Sequence, residues 1–243
     1  MTTWEEKFVR FMSERWVFQG TDPHDYTPRT FLMGLGEDFI SPLLKKHRHF
    51  GALYTGYLGG RLVGYMRVPP GTVILEGIMR ALEFTRVDKV IGIGTCGALQ
   101  PEIELGEIVI AESAEAGDGL SPHYGVEPGA MVAADGALTD SLGESLRGAG
   151  LKVHSGAVVT TGAAFRETDE MIDNWRRAGL LGVELETSCL LALARFTGVR
   201  AAVAHLVTDS PVRMATSDGV LRGKNRHDFV KGITDFMTSP TLA

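Results

Sequence analysis

The sequence predicts an α/β fold, a three-layer sandwich whose central mixed, mostly parallel sheet is covered by helices on both faces. Three observations carry that prediction. Strand-like apolar runs alternate with helix-like periodicities along most of the chain. Several runs, such as "AAVAHLV" (201–207), are continuously apolar, as strands covered on both sides are. The 243 residues, 44% hydrophobic and 22% charged, suit a globular protein with a sizeable core.

The elements follow in order. Trp4, Phe8, Phe11, Met12 and Val17 fall near helical spacing, so residues 3–17 read as an amphipathic helix. "QGTDPHDYTP" (19–28) is a loop by its prolines and Asx residues. "TFLMGLG" is a strand, with a short helix expected from about residue 38. "ALYTGYL" and "RLVGYMRV" flank Gly59-Gly60 as a hairpin. "GTVILEGIMRALEF" reads as a helix, "DKVIGIG" as a buried strand and "EIVIAESA" as another strand. "DGALTDSLGESLRGAG" has a helical pattern ended by Gly150, and "KVHSGAVVTTG" follows as a strand. Residues 168–177 read as helix, "LGVEL" as a short strand, "TSCLLALARF" as a buried helix, "RAAVAHLVTD" as a strand and 222–238 as a final helix. No repeat or linker interrupts the series. Residues 1–30 are read as an N-terminal helix and loop extension, and 31–243 as one α/β domain.

Charge and composition exclude several classes. A net charge of −6 without any Lys/Arg block argues against a nucleic-acid polymer or an anionic membrane as partner. Small anionic ligands need only a few local donors and stay open. Cys96 and Cys189 have no framework spacing, which fits a reducing cytoplasm. "MTTWEEKFVRFMSERW" lacks an apolar signal core, and no apolar run reaches the roughly 18 residues of a membrane span. A cytoplasmic protein is expected.

In a sheet of this kind ligands bind outside the carboxyl ends of strands. The ends that matter here are Gly94–Gly97, Thr160–Phe165, Glu184–Glu186 and Thr208–Asp209. The first holds Gly92-x-Gly94-x-x-Gly97, the pattern of a dinucleotide-binding turn, and Glu112 lies about 20 residues on. That turn must open a crossover helix, which takes roughly a dozen residues. Only residues 98–106, "ALQPEIELG", precede the next strand, and Pro101 and Gly106 leave no room for a helix. A dinucleotide site is therefore rejected, although the turn can still offer backbone amides and the Thr95 hydroxyl to an anion or a sugar.

With its surroundings the stretch resembles the purine nucleoside phosphorylase and uridine phosphorylase superfamily, including its nucleosidase branch. "GIGTCGALQPEIELGEIVIAESA" is similar to the family's glycine loop and following strand, and "DGLSPHY" (118–124) to the next segment of uridine phosphorylase relatives. "TTGAAF" (160–165) resembles the strand end that delivers an aromatic residue to the base. "GVELET" (182–187) resembles the Val-Glu-Met-Glu ribose signature, with Leu185 for methionine, and "VTDS" (207–210) the Ser-Asp pair of purine-specific members.

The resemblance implies roles. Cleaving an N-glycosidic bond builds a cationic sugar and leaves negative charge on the base. Glu186 would accept from the ribose hydroxyls, with Glu184 and Leu185 beside it and His24 reaching a neighbouring subunit's ribose. Asp209 would protonate the leaving purine, assisted by Arg222. Phe165 would stack on the base, with Thr161 and Gly97 lining it. "FRETDEM" lacks the Gln-x-Arg element with which pyrimidine enzymes read uracil, so a purine is favoured. His205 reads as a satisfied core histidine.

Two departures bear on the nucleophile. The family's phosphate arginines are missing: Gly92 stands in one place, and Asp38 of "GLGEDF" in the other. Without those clamps phosphate loses its charge-assisted partners, and Asp38, or Glu37, resembles the water-activating acid of nucleosidases. Against this, Arg67 in "YMRVPPG" stands beside the expected anion site of Gly94 and Thr95, where it could hold phosphate or a nucleotide's 5′-phosphate. The sequence favours hydrolysis slightly over phosphorolysis of a purine nucleoside or related nucleotide, with a non-catalytic nucleoside-binding protein as the third reading. No cofactor is implied beyond phosphate as co-substrate, and a homo-oligomer is expected.

Overall fold

The computed structural model describes residues 3–217 and 219–242. Helix α1 (Trp4–Met12) starts at a reciprocal cap: the Glu6 amide donates to Thr3 Oγ1 at 3.1 Å and the Thr3 amide to Glu6 Oε2 at 2.8 Å. It continues as a wider π-helical stretch, Ser13–Phe18, that buries Val17 and Phe18. Strands β1 (Thr30–Leu35), β2 (Lys45–Phe50), β3 (Leu53–Leu58) and β4 (Arg61–Val68) follow, then α2 (Thr72–Leu82), β5 (Lys89–Ala98) and β6 (Ile108–Gly117). Next come β7 (Met131–Ala133), α3 (Gly136–Gly148), β8 (Val153–Thr161), α4 (Asp169–Arg177) and β9 (Gly182–Glu184). The chain ends with α5 (Thr187–Thr197), β10 (Arg200–Ser210), β11 (Ala215–Thr216) and α6 (Lys224–Phe236).

Alternation along the central strands separates two apolar clusters. Phe31, Met33 and Leu35 of β1, Val90 of β5 and Val203 and Val207 of β10 join α2 and α5. The intervening Leu32, Ile91, Ile93, Ala202, Ala204 and Leu206 join Leu142 and Leu146 of α3 and Phe229, Ile233 and Phe236 of α6. Each such buried side chain contributes about 1.5–3 kcal/mol, enough to hold these helices whatever their propensities. Gly198, at φ 74°, ends α5 in the left-handed region and turns the chain into β10.

The sheet corrects the expected sandwich. It is mixed, with the longest ladders, β5–β10 and β6–β8, parallel and several shorter ones antiparallel, but its middle closes on itself. β5 pairs with β10, β10 with β6, β6 with β8, β8 with β9, and β9 returns antiparallel to β5 through Gly97–Val183 and Ala98–Gly182. Closure depends on the near approach of β9: a Cβ on Gly182 would stand 3.1 Å from Cys96 Sγ. Hydrophobic period identifies which face a strand buries but not its partner, so a barrel-like closure leaves no mark in the pattern. Outside it, β1, β4, β3 and β2 extend as an open wing.

Three strands were not anticipated. The edge strand β2, "KKHRHF", is almost wholly exposed and charged, as protected edges are, and so lacks apolar alternation. β7 and β11 are too short to show a period. The short helix expected near residue 38 is a single 3₁₀ turn at Ser41–Leu43. Among the described residues no helix is long and apolar enough to cross a membrane.

Candidate active site

The carboxyl ends of β5, β8 and β10 meet β9 at the closure. Each glycine of Gly92-x-Gly94-x-x-Gly97 lies opposite a β10 side chain in the ladder: Val203, His205 and Asp209 respectively. A Cβ at Gly92 would sit 3.0 Å from Val203 Cγ1, at Gly94 3.2 Å from His205 Nδ1, and at Gly97 2.6 Å from Asp209 Oδ2. The motif therefore seats three side chains of the neighbouring strand rather than a pyrophosphate. Gly97 in particular holds the space that Asp209 occupies.

Asp209 is partly buried, and the Thr208 hydroxyl is 3.1 Å from its Oδ1. Burial raises its pKa, with the Thr208 hydrogen bond opposing. Glu167, just beyond the 3₁₀ turn Ala164–Arg166, is raised as well, first by burial and then by the negative charge of Asp209. Two carboxyls thus share this end of the site, and both retain protons more readily than free side chains.

The two glutamates of "GVELET" do different things. β9 ends at Glu184, so the pair do not lie on one strand face. Glu184 accepts from the Glu186 and Thr187 amides, both at 2.8 Å, and from Thr160 Oγ1. It neutralises the exposed donors at the start of α5, where the helix dipole also favours a carboxylate. Glu186 occupies the N-cap position of α5 and is buried, and its carboxylate accepts from the Gly71 amide at 2.7 Å, with the Leu185 amide also favouring its charged form. Its pKa is pushed up to about 7, by burial first and by Glu184 second. Leu185 is partly buried between them.

A buried polar network supports this end. Ser188 donates its amide to Thr160 Oγ1 at 2.8 Å and its hydroxyl to Asp118 Oδ2. Asp118 also accepts from the Leu120 and Ser121 amides, both at 2.7 Å, and from Ser121 Oγ at 2.6 Å. Sequence reasoning singled out "DGLSPHY" but gave Asp118 no role. Its signal was a carboxylate three residues before a serine, a local capping pattern.

On the open wing, Asp38 accepts from Tyr65 Oη at 2.6 Å, from the Ser41 and Ile40 amides at 2.9 and 3.2 Å, and from Ser41 Oγ. Burial works against its charge, but these bonds outweigh it and hold its pKa below the usual carboxylate range. Arg67, across β1 in register with Gly34, is exposed and donates Nε to the Gly36 carbonyl at 2.7 Å. Gly36 follows the end of β1, the strand that separates β4 from β5. The turn expected at Gly94–Thr95 is instead unbroken β5 strand, because its residues stay paired with β10.

The other candidates lie further out in the single chain. Thr161 is buried at the end of β8 and accepts from the Ala163 amide at 3.2 Å, whereas Phe165 is fully exposed. Arg222 is exposed before α6. His24 is exposed in the 3₁₀ turn Pro23–Asp25, in a surface groove with Arg10, Glu14 and Phe84. Among the described residues no cluster of three or more His, Cys, Asp or Glu side chains could hold a metal ion.

The chain is similar to several known proteins. Residues 37–232 match the family model described as the phosphorylase superfamily. A guanosine phosphorylase of Halorubrum lacusprofundi is 33% identical over 165 residues, covering 66% of each chain. A DeoD-type purine nucleoside phosphorylase of Caldanaerobacter subterraneus subsp. tengcongensis is 30% identical over 183 residues, 73% of this chain and 77% of that one. A crystal structure of uridine phosphorylase from Vibrio fischeri superposes with a TM-score of 0.76 at 21% identity, over 90% of this chain and 96% of the other.

Proposed function

Because the chain belongs to the phosphorylase superfamily, we propose that it cleaves the N-glycosidic bond of a purine nucleoside, with inorganic phosphate as co-substrate and no cofactor. The observation that carries this reading is Asp209, seated against Gly97 with its pKa raised and a second carboxyl, Glu167, nearby. A protonated Asp209 donates to the leaving purine as the sugar–base bond breaks. Glu186 exchanges the Gly71 amide for the ribose 2′ and 3′ hydroxyls and opposes the sugar's developing positive charge. A purine that presents an acceptor to the Asp209 proton and N–H groups to the Glu167 carboxyl, as guanine does, fits this end best.

Phosphorolysis is preferred to the hydrolysis that the sequence slightly favoured. A carboxylate that already accepts four hydrogen bonds and is held ionised by them is poorly placed to take a proton from water, which disfavours Asp38 as base. Arg67 beside Gly36 supports an anion held between its guanidinium and the Gly94–Thr95 segment of β5. The phosphate oxygen then bonds to the anomeric carbon while the bonding pair leaves with the purine. Phe165 and His24 stand ready for a neighbouring subunit, since a fully exposed Phe165 needs a second surface to enclose a base. We assign residues 31–243 as the catalytic domain of a cytoplasmic homo-oligomer, with 1–30 as its extension.

The test is product analysis. Guanosine, inosine, adenosine, 5′-methylthioadenosine, AMP and uridine are incubated with and without phosphate. Ribose 1-phosphate formed only with phosphate, and a phosphate KM raised about tenfold or more by Arg67→Ala, is the expected result. Free sugar released without phosphate would instead establish a nucleosidase.

A further inference from the structure

His205 has no task in the chemistry above, yet it stands wholly buried between the two halves of the site. Its Nε2 is 2.9 Å from Thr187 Oγ1, on the first residue of α5 and adjacent to Glu186. Its Nδ1 faces β5, where only the missing side chain of Gly94 admits the ring. No hydrogen bond of full geometry reaches Nδ1, although the Thr95 backbone lies within polar reach of it. A leucine or isoleucine would fill the same space in "AAVAHLV" without desolvating two ring nitrogens. A polar ring there is worth its desolvation only if its hydrogen bonds are used.

We propose that His205 is a positioning residue: it ties the first turn of α5, and so Glu186, to β10 and, through the ladder opposite Gly94, to the Gly94–Thr95 segment of β5. Glu184 fixes the backbone amides at the start of α5. Ser188 ties the same turn to Thr160 of β8 and to Asp118 just after β6, so these bonds all run to one side of the site. The Thr187–His205 contact adds an anchor on a different strand, β10, whose register with Gly94 is set by the ladder. Together these anchors hold the ribose carboxylate at a set separation from the Gly94–Thr95 segment of β5. Burial keeps the imidazole neutral, with the Glu184 charge opposing, so one ring nitrogen donates and the other accepts.

This inference rests on Glu186 as the ribose ligand, and its test separates the two. Thr187→Val removes the hydroxyl at nearly constant shape, and His205→Phe keeps a ring without its nitrogens. kcat/KM is measured for guanosine and for 2′-deoxyguanosine at saturating phosphate, with Tm in parallel. Each single variant is expected to lose about fivefold to tenfold on guanosine and less than about threefold on the deoxynucleoside. The double variant should be no worse than the poorer single one, because both remove the same link. An unchanged ribo-to-deoxy ratio accompanied only by a lower Tm would overturn the proposal, and so would losses that multiply. If His205→Phe does not fold, Thr187→Val alone decides through the ratio. Glu186→Gln is the control. If it abolishes the preference while Thr187→Val leaves it intact, the positioning role fails and the ribose reading stands. If Glu186→Gln itself leaves the preference intact, the ribose reading fails and takes the positioning role with it.

Discussion

Along the seam between β5 and β10, every glycine of the motif answers a side chain on the other strand, and those partners are far away in sequence. Around the turn after β1 the groups mostly answer near neighbours: Asp38 gathers Ile40 and Ser41, with Tyr65 from the adjacent strand β4. The seam is buried and constrained by register, so the backbone at Asp209 and His205 cannot move without moving the closure of the sheet. The wing is open, and Arg67 is anchored there by one carbonyl. On the proposed function, bond-breaking chemistry would sit where the backbone is least adjustable, and the nucleophile would be handled where it is most adjustable. A superfamily with varied nucleophile sites over one sugar-cleaving core would be built this way.

The sharpest way to break the comparison is to add one methyl group to each side. In Gly97→Ala the obstacle is Asp209 Oδ2, the far end of a side chain, which can swing aside. Folding should change little, with Tm within a few degrees of the parent, while kcat for purine release falls about a hundredfold because the proton donor is displaced. In Gly34→Ala the obstacles are the Glu37 carbonyl at 2.6 Å and Tyr65 Oη at 2.8 Å. Backbone cannot swing, so that variant should lose about 1–3 kcal/mol of stability. If Gly97→Ala instead unfolds the protein and keeps its specific activity, the seam is only a packing device.

The same contrast decides what was legible in the sequence. Strand ends and the rejection of a dinucleotide turn came from spacing, because a missing crossover helix is visible in a count of residues, whereas the roles of Asp209 and Glu186 came from the resemblance of "VTDS" and "GVELET" to the superfamily's motifs. Which residue each glycine served was not visible, since it depends on the parallel register of β5 with β10. For the same reason the division between Glu184 and Glu186 was missed: two residues apart on a strand they would share a face, but β9 stops at Glu184 and the helix begins. Asp38 was singled out by its place after β1, while its four donors were not, because Tyr65 arrives from another strand.

A smaller effect is expected from pH, and it carries opposite signs for stability and activity. Glu186 has its pKa raised to about 7 from an ordinary 4.5. Its contribution to stability is fully present below pH 4.5 and is lost as pH rises through about 7, since the folded state holds the proton more tightly. The Tm should therefore decline between about pH 5 and pH 8, and Glu186→Gln should flatten that part of the profile. Activity runs the other way on this limb. The ionised carboxylate is the form that accepts from the ribose hydroxyls, so kcat/KM for guanosine should climb with pH through about 7. A limb that persists in Glu186→Gln would assign it to another group.

The least effect should come from Asp38→Asn. An asparagine retains one acceptor oxygen but replaces the other with a donor that faces Ser41 or Tyr65, so the turn loosens. Stability should fall by about 1–2 kcal/mol, or a few degrees in Tm. Phosphorolysis should change by less than about threefold, because on the proposed function Asp38 has no proton to move and the anion is left to Arg67 and the Gly94–Thr95 segment of β5. Tyr65→Phe, which removes one of the four donors to the same carboxylate, should mimic it. The alternative is quantitatively distinct: a general base that activates water is worth about 10²- to 10⁴-fold. A loss of that size in Asp38→Asn, with Tyr65→Phe left active, would return the open wing to hydrolysis and place chemistry on both sides of the site.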